Sequence, residues 1–132
     1  MSVLEFEVKT AELGADAFLV TAVGEADMYN ASELEQALDG VVGLGGTSVV
    51  LDLTEVSFGD STLLSLLLRY RERLMELGGK LVLVTGNRGI RRTLEITGLE
   101  RIFTIEQRLG DGIGALATRS NGARRDEQPP GV

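Results

Sequence analysis

Two aliphatic runs constrain this chain more than any other feature. Val49 to Leu53 and Lys80 to Thr85 are nearly continuous apolar stretches, of the kind buried on both faces of a sheet. The first opens the string VVLDLTEVSFGDSTLLSLLLRY. After its strand, Thr54 to Gly59 reads as a loop. Asp60, Ser61 and Thr62 are small and polar, and Leu63 to Tyr70 opens a helix. Two hydroxyls and a carboxylate therefore stand at a strand-to-helix turn, beyond the carboxyl end of a buried strand. Open α/β sheets put their sites at such positions.

The neighbouring segments extend the pattern. Val3 to Lys9 alternates apolar and polar residues, as a half-exposed strand does. Leu13 to Asp16 is turn chemistry, and Ala17 to Val23 is a second strand, so the two predict an antiparallel hairpin. Asn30 and Ser32 each have a glutamate three residues on, the spacing of a capping box. Leu34, Ala37, Leu38, Val41 and Val42 then give one apolar helical face. The following Gly-Leu-Gly-Gly precedes a strand instead of following one, so it reads as a helix terminus and linker. The next helix spans about Ser61 to Leu77. Leu63, Leu66, Leu67, Tyr70, Leu74 and Leu77 form its core face, and Leu64, Leu68 and Met75 form a second apolar stripe. That stripe either meets a neighbouring helix or waits for a partner. Gly86 to Gly89 is either an ordinary turn or a phosphate-holding helix start. A helix from Ile90 to Thr97 follows, with Gly98 just past its end. Ile102 to Ile105 is the last strand. Leu109 to Ala117 is the last helix, with Leu109, Ile113 and Leu116 inward. Repeated strand-helix-strand units require parallel strands with right-handed crossovers, and the first hairpin makes the α/β sheet mixed.

At 132 residues the chain is one domain's worth. The domain is read as residues 1–118. Residues 119–132 hold Gly, two Pro and mixed charge, and are read as a disordered tail. There is no cysteine and no histidine, which removes thiol chemistry, the commonest general base and the commonest metal ligand. An enzyme is not expected. The net charge is −7 and the tail is not its source, so the body repels phosphate backbones and nucleic acid is not expected as a partner. No apolar run approaches a bilayer span and the N-terminus lacks the pattern of a signal peptide. The expectation is a cytoplasmic protein with no membrane partner.

Ser61 is poorly supplied as a nucleophile, because no histidine exists to activate it. Asp27, Asp52 and Asp60 have the chemistry of a Mg²⁺ site only if the fold brings them together; no metal or cofactor is assigned. Asp60 suits a helix N-cap. Ser61 also suits phosphorylation, since a hydroxyl in a first helical turn is exposed and a phosphate there meets amide groups and the positive dipole end. The added charge would lie beside Leu64 and Leu68 and disturb a partner docked there.

The string from Val49 through Gly-Gly-Lys-Leu-Val-Leu-Val resembles the core motif of STAS domains, particularly bacterial anti-sigma factor antagonists. Gly24-Glu25-Ala26-Asp27 is similar to the family's Gly-Glu-Leu-Asp, and Arg92 to Leu99 to its Arg-x-Leu-x-x-Thr/Ser-Gly-Leu. The resemblance runs from about Val3 to Ala117. It implies a mixed four- to five-stranded sheet with helices mainly on one side, and a switch protein that is not an enzyme. It implies binding to an anti-sigma factor serine/threonine kinase, release of a sigma factor, phosphorylation of Ser61 by that kinase, and reversal by a PP2C-type phosphatase. Asp27, Asp60, Ser61, Thr62, Leu64 and Leu68 become the partner-binding residues. The alternative is a STAS accessory module of a transporter or sensory complex that is not phosphorylated. Two positions depart from the family pattern. Leu63 replaces the usual Gly, putting a side chain at the helix start that a kinase would approach, and Gly59 stands where Met is frequent.

Overall fold

The computed structural model describes residues 6–86 and 88–116. The expected tail at 119–132, Ala117, and the first residues of the opening strand lie outside them.

Alternating and continuous apolar runs become five strands: β1 (Glu7–Glu12), β2 (Ala17–Ala26), β3 (Ser48–Gly59), β4 (Lys80–Val84) and β5 (Thr104–Glu106). Their order across the sheet is their order in the chain. β1 pairs antiparallel with β2, and the other three pairings are parallel. The sheet is thus mixed, as expected. Three helices cross between the parallel strands: α1 (Ala31–Gly43), α2 (Ser61–Glu76) and α3 (Arg88–Thr97). Each crossover steps the same way across the sheet, so one handedness puts all three on one face. Between them and the sheet lies the main core, which includes Leu34, Leu38, Val49, Leu51, Leu63, Leu67, Tyr70, Leu81, Leu83 and Leu94.

The alternate residues Val50, Val82 and Val84 are just as buried but point to the opposite face. Helical residues 109–116, here α4, cover them. Gly112 makes that approach possible: a Cβ on it would lie 2.4 Å from Val84 Cγ2 and 3.3 Å from Val50 Cγ1. The expected inward set for this helix is therefore corrected. Gly112 is the buried residue, Leu109 and Leu116 are half-buried, and Ile113 is 36% exposed. A close backbone approach, invisible to a hydrophobic periodicity, decides which side faces in.

Several element boundaries also differ, the last strand among them, which begins at Thr104 and not at Ile102; two bear on α2. Thr54 to Gly59, expected as loop, continues β3. Its partners are on β2, where Glu55 pairs with Val23, Val56 with Gly24, Phe58 with Glu25 and Gly59 with Ala26, across two register shifts. The polar residues Thr54, Glu55 and Ser57 are exposed while Val56 is buried, the signature of a strand end that leaves the core on one side. Leu77, expected on the core face of α2, follows the last helical turn and is 47% exposed. Gly78, at φ +86°, then turns the chain toward β4.

Candidate functional site

The pairing of Ala26 with Gly59 builds the site. Each strand ends there, one residue before an aspartate, so Asp27 and Asp60 leave the same end of the sheet, at the carboxyl ends of two neighbouring interior strands. The Asp60 amide donates to the Ala26 carbonyl at 3.4 Å, holding the two exits together.

Asp60 is the N-cap of α2. Its Oδ1 accepts from the Thr62 amide at 2.9 Å and the Leu63 amide at 3.4 Å. Ser61 is the first helical residue and is exposed. Among the described residues its hydroxyl makes no hydrogen bond. The amides of Thr62 and Leu63 are already taken by Asp60, so a phosphate on Ser61 would not find them free. It would stand beside a carboxylate, as a charge presented to solvent with only the helix dipole in its favour.

Ser61, Leu64, Ser65 and Leu68 fall at i, i+3, i+4 and i+7, one strip of the helix surface. Ser61 and Ser65 are exposed, Leu64 is half-buried against the core, and Leu68 is 37% exposed. No described helix covers this strip. α1 lies on the other flank of α2, where Arg69 pairs with Glu35 at 2.8 Å and Arg73 with Asp39 at 3.1 Å. Thr62, half-buried, is turned toward that flank, about 100° from Ser61. The two hydroxyls thus differ in presentation as well as position.

Leu63 does not stand in the way. It is 1% exposed and points into the core, so the departure from the family pattern leaves the surface beside Ser61 unobstructed. The second departure explains the first. A Cβ on Gly59 would lie 2.2 Å from Leu63 Cδ2 and 3.3 Å from Ile90 Cδ1. Leu63 fills the space that a side chain at position 59 would need.

Asp27 is half-buried and shapes its loop. Its Oδ1 accepts from the Tyr29 amide at 2.9 Å and the Asn30 amide at 3.2 Å. Asn30 closes the turn from the other side: its Oδ1 accepts from the Asp27 amide at 2.9 Å, and its Nδ2 donates to the Glu25 carbonyl at 2.7 Å. Asn30 is the N-cap residue of α1, but its side chain makes no capping bond. The expected capping box there is corrected, because the amide side chain is spent on the loop. The turn so fixed displays Met28 and Tyr29, 66% and 86% exposed. Sequence reasoning missed them. The signal was two large apolar side chains inside an Asp-to-Asn turn, where core packing cannot use them.

Asp52 does not join the other carboxylates. It lies inside β3, 8% exposed, with Oδ1 accepting from the Thr54 amide at 3.0 Å and the Thr54 hydroxyl at 2.8 Å. Among the described residues no three carboxylates gather where a metal ion would sit.

Comparison with known proteins gives the following. The STAS domain family model matches residues 9–112. An anti-sigma-B factor antagonist of Listeria monocytogenes serovar 1/2a is 31% identical over 108 residues, covering 82% of this chain and 95% of that protein. The crystal structure of an anti-sigma factor antagonist from Mycobacterium paratuberculosis superposes with a TM-score of 0.77 at 28% identity, covering 88% of this chain and 97% of that one. The unphosphorylated anti-sigma factor antagonist SpoIIAA superposes at 0.72 with 16% identity, covering 88% and 97%, which is a likeness of fold.

Proposed function

The chain belongs to the STAS domain family, and from that premise we propose that it is an anti-sigma factor antagonist switched by phosphorylation at Ser61. Unmodified, it binds an anti-sigma factor serine/threonine kinase and so frees a sigma factor for transcription. The same kinase phosphorylates Ser61, the complex separates, and a PP2C-type phosphatase restores the hydroxyl. The role is regulatory and non-catalytic, and its setting is the cytoplasm.

The observation that carries this reading is the presentation of Ser61. Its residue is exposed at a helix start that the Asp60 cap holds, and among the described residues its hydroxyl is unbonded. It heads the strip of Leu64 and Leu68 that no described helix covers, and the Asp27 loop with Met28 and Tyr29 leaves the same end of the sheet. A partner laid over this surface would cover the serine. A phosphate adds ≈ −1.5 to −2 charge there, next to Asp60 and within an apolar contact, while touching nothing the fold depends on. Charge disrupts a desolvated contact without unfolding the protein that carries it.

The test is direct. Incubated with the anti-sigma factor kinase and ATP, the chain gains one phosphate, located on Ser61 by mass spectrometry of the peptide. Ser61→Ala blocks incorporation and keeps binding. Ser61→Asp weakens binding by roughly tenfold, about 1.4 kcal/mol, with an unchanged melting temperature. Phosphate on Thr62, or no phosphate from a kinase active on another substrate, refutes the assignment.

A further inference from the structure

At the end of the sheet away from Ser61, the last turns of α2 pass the amino ends of β4 and β5. A cavity of about 250 Å³ opens there, lined by Arg71, Met75, Lys80, Leu81, Ile102 and Thr104. Met75, Leu81 and Ile102 make its walls mainly apolar. Leu81 is buried, while Met75 and Ile102 are 51% and 41% exposed, so the cavity is open to solvent on one side. Arg71 and Met75 stand one helical turn apart. Arg71 is about 15 Å along α2 from Ser61, so the cavity is separate from the serine.

Arg71 is the unusual member of this set. It is half-buried. Its Nε donates to the Ile102 carbonyl at 3.0 Å, and its guanidinium carbon lies 6.0 Å from the centre of the Phe103 ring. Those two contacts hold the group in one orientation. The neighbouring arginines of α2 each meet a carboxylate, Arg69 with Glu35 and Arg73 with Asp39. Among the described residues no ion pair neutralises Arg71. The bond to Ile102 uses Nε, so the two terminal nitrogens keep an end-on pair of donors, a fork that matches a carboxylate. A partly desolvated cation against apolar walls is stabilised by an anion, and Lys80 brings a second positive charge to the same cavity. The walls decide which anion. A bare inorganic ion would leave Met75, Leu81 and Ile102 facing water, whereas an apolar body covers them. We propose that this cavity binds a small organic monocarboxylate, its carboxylate on the terminal nitrogens of Arg71 and its apolar body against Met75, Leu81 and Ile102.

The probes are octanoate, acetate and octanamide, titrated into the full ¹⁵N-labelled chain. Octanoate carries both charge and apolar body, acetate only the charge, octanamide only the body with a neutral head. The expected result is saturable shifts with octanoate, concentrated at the amides of Met75, Gly79, Lys80, Leu81 and Thr104. Octanoate binds at least about tenfold tighter than either control. Arg71→Lys keeps the charge but loses the fork, and weakens octanoate by at least about fivefold. Met75→Glu changes an exposed side chain, puts a carboxylate one turn from Arg71, and weakens octanoate by at least about tenfold. Lys9→Gln, on the edge strand farthest from β5, changes it by less than about twofold. Acetate binding as tightly as octanoate would reduce the site to a bare anion contact, and octanamide binding as tightly would leave Arg71 without a role. Either result overturns the proposal. So do shifts spread over the whole surface, no saturation by about 20 mM octanoate, or undiminished binding in folded Met75→Glu.

Discussion

Gly59 and Leu63 divide one space between them, four residues apart across the strand-to-helix turn. Leu63 needs Gly59 to lack a side chain, and in return supplies the apolar volume at the head of α2. Gly59→Ala is expected to destabilise the fold by about 1–3 kcal/mol, the scale of overpacking, measured by denaturant unfolding. Leu63→Ala should cost about 2–5 kcal/mol as a buried leucine. The informative measurement is the pair. Gly59→Met should cost less in the Leu63→Ala background than in the native one, with a coupling of roughly 0.5–3 kcal/mol. Purely additive costs would show that the two residues do not share a space. The same pair keeps the approach to Ser61 open, because the bulk moved from position 59 to position 63 stays inside the core.

At the scale of elements, α2 has three distinct faces. The core face holds Leu63, Leu66, Leu67, Tyr70 and Leu74, all buried. The flank toward α1 holds Arg69, Tyr70 and Arg73. There the Tyr70 hydroxyl donates a hydrogen bond to Asp39 Oδ1. Burial, then that hydrogen bond and the Asp39 charge, push the Tyr70 phenol up from 10.0 to about 12. A raised pKa means that the folded state holds the proton more tightly than the unfolded chain. This contribution is therefore complete below the unfolded value and is lost as pH climbs through about 12. Absorbance titration should show a tyrosine ionising near there, abolished by Tyr70→Phe, with stability falling over the same alkaline range. The two salt bridges beside it are exposed and each contributes only about 0.2–1 kcal/mol. The third face is the strip below Ser61, and its two leucines are not equivalent. Leu68→Ser should leave the melting temperature nearly unchanged and weaken partner binding by roughly 1 kcal/mol or more. Leu64→Ser should cost about 1 kcal/mol of stability as well, because Leu64 is half-buried against the core. Equal stability losses would make both residues core and move the proposed contact elsewhere.

For the whole molecule, the two faces of the sheet are covered by different means. Three crossovers supply α1, α2 and α3 to one face, while among the described residues α4 covers Val50, Val82 and Val84 on the other. Ending the chain before Leu109 should expose those valines and lower the melting temperature by several degrees, about 4 °C for each kcal/mol lost in a domain of this size. Ending it before Arg119 should change little, since residues 119–132 carry few apolar groups. A large drop in the second case would show that the tail contributes to the core.

The sequence by itself determined the order of elements, the mixed sheet, the core face of α2 apart from Leu77, and the strand-to-helix position of Ser61. These follow from local periodicity, and periodicity is written in consecutive residues. Asp60 as a helix cap was equally legible, because a cap acts on amides within three residues of itself. Tertiary structure alone decided the rest. The strand from Thr54 to Gly59 exists because β2 pairs with it, and no propensity of its own residues announces that partner. Asn30 gave up its cap to close the Asp27 loop, a competition between two local bonds that only the fold resolves. Leu63 faces inward at the helix start because Gly59 leaves room, and Gly112 faces inward because Val84 lies beneath it. The adjacency of Asp27 to Asp60 comes from residues 26 and 59 sharing one register across the sheet. Such facts join positions far apart in the chain, and their cause is space shared between them.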